Sequence, residues 1–126
     1  MKIENLTIEE WNEIPKDDAT DTRAIKGDMC VEIDGVAFLV QRRNNFNNVI
    51  CIRIKPKTNS LLQTFNTFRE WCQKEGLQYI RVEGAGKHTY KMLFLLLRLA
   101  PKEAGVVKAE EESKKYERSI YYVRTY

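Results

Sequence analysis

Three cysteines, one histidine, a cluster of lysines and hydroxyls, and one glutamate have the types and places to do chemistry. Cys30, Cys51 and Cys72 are widely spaced and odd in number, with no Cys-x-x-Cys pair among them. His88 is the sole histidine, so scattered thiols have no nitrogen partners to close a zinc site, and no metal site is expected. Each cysteine lies in an apolar-patterned segment and reads as a small buried hydrophobe. A nucleophilic thiol would need a neighbouring base, and only His88 could serve. Lys55, Lys57, Thr58 and Ser60 precede a helical pattern, and a helix N-terminus favours an anion through its free amides and its dipole. Glu83 closes a strand pattern, where sheets border clefts, and is a candidate base; its plain alternative is a solvated carboxylate or a partner for Lys87.

These residues sit in a chain of 126 residues and 14.8 kDa, room for one good core and not for two. Apolar residues are 43% and charged residues 31%, which separates it from disordered and fibrous chains. The apolar run at 92–97 is far short of the roughly 20 residues of a membrane span. The opening residues carry no apolar signal core, so a cytoplasmic protein (host cytoplasm or virion) without membrane association is expected. Charge is uneven along the chain. Residues 1–21 hold two lysines against seven carboxylates, net −5, while residues 41–102 hold twelve Lys/Arg against three glutamates, net +9. An acidic arm before a basic body implies internal neutralisation, or a basic face for phosphates or acidic protein.

The elements that must position these groups follow from pattern. Thr7 and Glu10 have capping-box spacing ahead of Trp11 and Ile14, and Pro15 stops that short helix. Residues 29–40 read as a hairpin about Asp34-Gly35, the asparagine cluster at 44–48 as a second turn, and residues 49–54 as a third strand. Asn59 or Ser60 caps a helix whose face is Leu61, Phe65, Phe68 and Cys72, with Leu62 and Trp71 beside it; Gly76 ends it. Residues 77–83 are a strand, broken by Gly84-Ala85-Gly86. A helix apolar on nearly every side follows over about 87–99, which implies burial between layers or against another chain. Residues 102–118 are open between strand and helix, and 119–126 are a strand. The expected fold is α/β (α+β), a single mixed, mainly antiparallel sheet with flanking helices. Its divisions are an acidic arm with a short helix at 1–28 and one domain at 29–126.

That order resembles the GNAT acyltransferase fold, over roughly residues 29–126 and by layout more than by motif. In that family the strand matching residues 49–54 leads into a glycine-rich turn whose amides cradle the coenzyme A pyrophosphate. Here the turn is Lys55-Pro56-Lys57-Thr58-Asn59-Ser60, with no glycine and with one amide removed by Pro56. The resemblance implies acetyl-CoA as the cofactor if the chain is an enzyme. It also implies Tyr90 as general acid towards the leaving thiolate, with Glu83 as base. Small chains of this layout with a broken coenzyme site look similar to GNAT-like proteins of bacteriophages, some of them non-enzymatic virion or accessory components. Residues 6–15 also resemble the openings of small phage proteins.

Three functions are therefore open. The first is a non-catalytic GNAT-like phage-type accessory or virion protein working through protein–protein contacts, with no cofactor. Its partner would be a virion or host component or a second copy, met at a sheet edge by the C-terminal strand bearing Tyr121, Tyr122 and Tyr126. The second is an acetyl-CoA-dependent N-acyltransferase using Glu83 and Tyr90. The third is a nucleic-acid-binding module using Arg42, Arg43, Arg53, Lys55, Lys57 and Arg81, with Phe46 or Tyr79 to stack bases.

Overall fold

Period-two alternation of apolar residues builds the sheet. β2 (Met29–Ile33) and β3 (Val36–Arg42) are joined by Asp34-Gly35. The φ angles there are 46° and 79°, the left-handed pair that a two-residue I′ turn requires. β4 (Asn47–Arg53) pairs antiparallel with the whole of β3, from Val36 opposite Arg53 to Arg42 opposite Asn47. The computed structural model describes residues 1–15, 23–43, 47–56, 58–84, 106–108, 110–116 and 119–125. The expected helix at 87–99, with His88 and Tyr90, lies outside the described residues, as do Phe46, Lys57 and Tyr126.

Each face of the meander is covered by a helix. Val31, Ile33, Val36, Phe38, Val40, Val49 and Cys51 point to the first face and meet Phe65, Phe68, Trp71 and Cys72 of α2 (Leu61–Lys74). Phe68 is fully buried and stacks on Phe38 with ring centroids 4.0 Å apart. The intervening residues Cys30, Ala37, Leu39, Ile50 and Ile52 point to the second face and meet Trp11 of α1 (Ile8–Glu13). Six residues are too few for a helix to persist alone. The Thr7–Glu10 capping box, 3.0 Å in both directions, and the fully buried Trp11 hold α1 in place. α2 starts at Ser60, whose capping box with Gln63 spans 3.2 and 3.1 Å, and stops at Gly76, whose φ is 78°.

The remaining strands are β1 (Ile3–Leu6), β5 (Tyr79–Gly84), β6 (Val106–Lys108) and β7 (Ser119–Arg124), and a short α3 (Glu110–Tyr116) precedes β7. The seven strands among the described residues form one sheet in the order β1-β2-β3-β4-β5-β7-β6. β4 and β5 run parallel and every other neighbouring pair antiparallel, so the expectation of a mixed, mainly antiparallel sheet with helices holds. Residues 102–118 supply both of the open alternatives, strand β6 and then helix α3.

Three details differ from the pattern reading. Residues 3–6 are a strand on β2, where no strand is expected: the segment is short and mostly exposed, so no burial periodicity marks it. Asn47 and Asn48 belong to β4 rather than to a turn. β7 is not a sheet edge, because it pairs with β5 on one side and β6 on the other. Among the described residues the edges are β1 and β6.

Candidate functional site

The connection from β4 to α2 is the place where an anion could be held, and the β2–β3 turn is docked on it. The carbonyl of Gly35 accepts the N–H groups of Ile54 and Lys55 at 2.8 and 3.1 Å. A side chain at Gly35 would meet the Lys55 carbonyl oxygen at 2.6 Å, so only glycine permits this approach. The docked turn presents the carboxylate of Asp34 to the start of α2. Asp34 Oδ1 accepts the Thr58 N–H at 3.0 Å and the Thr58 hydroxyl at 2.7 Å. Its Oδ2 accepts the Asn59 N–H at 2.8 Å and the Thr64 hydroxyl at 3.4 Å. These donors, the Thr58 N–H foremost and its hydroxyl next, hold the Asp34 carboxyl well below the ordinary carboxylate range.

The described members of the expected anion set, Lys55, Thr58 and Ser60, are therefore engaged within the chain. Thr58 gives its amide and its hydroxyl to Asp34. Ser60 is tied to Gln63 by the capping box. Lys55 Nζ lies 3.0 Å from Glu32 Oε1, and that glutamate side chain is 11% exposed. An incoming diphosphate would have to displace a carboxylate already seated on the amides and would be repelled by it. Pattern reading takes Asp34 only as a turn former, although it is the residue that organises this site. Its contacts lie 24 to 30 positions further along the chain, and no local signal reaches that far.

At the opposite end of β4 from this connection, the parallel ladder of β4 and β5 consists of two pairs, Asn48 with Arg81 and Val49 with Val82. Glu83 follows immediately in β5, opposite Ile120 of β7. Arg81 is 6% exposed, and its Nη1 donates to Asn48 Oδ1 at 2.8 Å; Asn48 Nδ2 in turn donates to Gln41 Oε1 at 2.9 Å. This chain ties β3, β4 and β5 together at the other end of the shared ladder.

The other candidates are dispersed. Arg42 and Arg53 stand at opposite ends of the β3–β4 ladder, roughly 20 Å apart at the rise of an extended strand. Arg43 pairs with Asp28 at 3.1 Å, and Tyr79 is 53% exposed. Tyr122 is half-buried within β7, and Tyr121 is its neighbour on the strand. Burial raises the thiols of Cys30, Cys51 and Cys72 to about 11, 12 and 12, so all three stay protonated. Among the described residues no cluster of three or more His, Cys, Asp or Glu could hold a metal ion. No helix among them is long and apolar enough to cross a membrane. Comparison with known proteins gives no match, whether by family model, curated protein or solved structure.

Proposed function

We propose that this chain is a non-catalytic protein of GNAT-like layout, of the accessory or virion kind that bacteriophages carry, and that it works through protein–protein contacts. One observation carries the reading: the Asp34 carboxylate sits on the Thr58 and Asn59 amides, where the resemblance would put a coenzyme pyrophosphate. The strand order, with a parallel β4–β5 pair joined through α2, supports the layout. The test is a thermal melt with acetyl-CoA at about 1 mM. No shift is expected. A ligand at 100 times its Kd would add about 2.7 kcal/mol, roughly 10 °C for a chain of this size, and such a rise would overturn the reading.

An acetyl-CoA-dependent N-acyltransferase is the second reading, and one feature favours it. The β4–β5 ladder stops after two pairs, and Glu83 follows the last of them, where a base would be needed. Acetyl transfer to any amine, lost in Glu83→Gln, would establish it.

A further inference from the structure

Among the described residues β1 is one edge of the sheet, and residues 1–5, which run into it, are self-complementary about Ile3. Ile3 lies opposite Ile33, which lies opposite Val36. Ile33 and Val36 are fully buried, whereas Ile3 is 39% exposed and Met1 49%. A row of the core thus runs out into solvent at this edge. In the next row Glu4 lies opposite Glu32, and like charges facing across a strand pair repel. Lys55 answers Glu32, and Lys2 answers Glu4 at 2.8 Å in a solvated ion pair.

We propose that the edge formed by residues 1–5, the start of β1 and the two residues before it, pairs antiparallel with the same edge of a second copy of this chain, about a two-fold axis through Ile3, to make one continuous sheet. Side chains alternate between faces, so a two-fold axis perpendicular to the sheet passes through a residue and not between two. An axis through Glu4 would set that carboxylate against its own copy. An axis through Asn5 would set Glu4 against Leu6. Through Ile3, each Lys2 faces the Glu4 of the other copy, and the two Ile3 side chains meet and extend the Ile33–Val36 row across the joint. The charge pattern along the edge selects this one register and a second copy as its occupant. Five facing residues bury well under the ~800 Å² per partner of a stable interface, so the dimer is weak and concentration-dependent. The inference rests on the surface-mediated reading for its purpose, but its test involves no coenzyme, so either can fail alone.

The experiment is sedimentation equilibrium of the full chain from about 10 µM to about 1 mM at low salt, where screening is least. The average mass is expected to rise from 14.8 kDa towards twice that value. Ile3→Lys, which opposes two cations on the axis, holds it at the monomer value. Lys2→Glu and Glu4→Lys each weaken association by about tenfold or more, and mixing the two variants in equal amounts restores it, because their edges are then complementary. Both variants lack the internal Lys2–Glu4 pair, so restoration on mixing reports contact between chains. A wild-type mass fixed at the monomer value, a dimer indifferent to Ile3→Lys, or a mixture no better than its components would each overturn the proposal.

Discussion

Replacing Gly35 by alanine tests whether the β2–β3 turn is clamped to the start of α2. Two effects add. Alanine in the left-handed region costs about 1–2 kcal/mol, and Gly35 sits at φ 79°. The new methyl would also lie 2.6 Å from the Lys55 carbonyl oxygen, 3.0 Å from its carbon and 3.1 Å from the Pro56 oxygen. These are backbone atoms that no rotamer change can move, and overpacking of this kind costs about 1–3 kcal/mol. Gly76 is a matched control: its φ is 78°, and nothing lies within 4 Å of a methyl added there. Gly76→Ala should therefore lose about 1–2 kcal/mol, and Gly35→Ala about 2–5 kcal/mol. At roughly 4 °C per kcal/mol, Gly35→Ala should melt about 4–12 °C below the control. Circular-dichroism melts and urea titrations of the three proteins measure the difference directly. Amide exchange at Thr58 and Asn59 should also accelerate in Gly35→Ala alone, since lifting the turn withdraws the Asp34 carboxylate. Equal losses at both glycines, with those amides still protected, would refute the docked turn.

Other perturbations follow from the same contacts. The Asp34 carboxyl titrates below its ordinary 3.8, so its stabilisation is complete above that pH and is lost as pH falls through the lowered value. The stability gap between wild type and Asp34→Asn should hold steady from about pH 7 to about pH 5 and narrow in more acid solution; urea titrations at each pH would show an unchanging gap if this is wrong. Lys55→Ala leaves the nearly buried Glu32 carboxylate without its ammonium and should cost about 1–2 kcal/mol, whereas Lys2→Ala, in a solvated pair, should leave the melt of dilute protein unmoved. All three thiols should resist a thiol reagent at about pH 8 in the native protein and react in urea; a thiol that reacts quickly without denaturant would contradict the burial of Cys30, Cys51 and Cys72.

Much of this architecture is legible in the residue pattern because it is written locally. Alternation through 29–33 and 36–40, the Asp-Gly turn and the Thr7–Glu10 spacing each specify a structure within a few residues, and the structure has all of them. The face Phe65, Phe68 and Cys72 is legible for the same reason, since one helical period places it. What pattern does not carry is contact between distant segments. Ile3 has no buried neighbours in sequence to reveal a strand, and only β2 makes it one. The C-terminal position of β7 suggests an edge, yet the chain returns between β5 and β6. Ser60 has the spacing of a capping box with Gln63, and that local bond engages a residue that composition alone offers to an anion. Asp34 is the deepest case: a turn residue by local rule, it is tied to Thr58, Asn59 and Thr64 by a fold that brings them to it.

The most direct test of the seated carboxylate is a ¹⁵N–¹H spectrum of the labelled protein, following the Thr58 and Asn59 amides. Their resonances should stay fixed as acetyl-CoA is added to about 1 mM, and should move when acid titrates Asp34 through its lowered value. Saturable shifts of both amides with acetyl-CoA, at a pH where the carboxylate is fully ionised, would contradict the account.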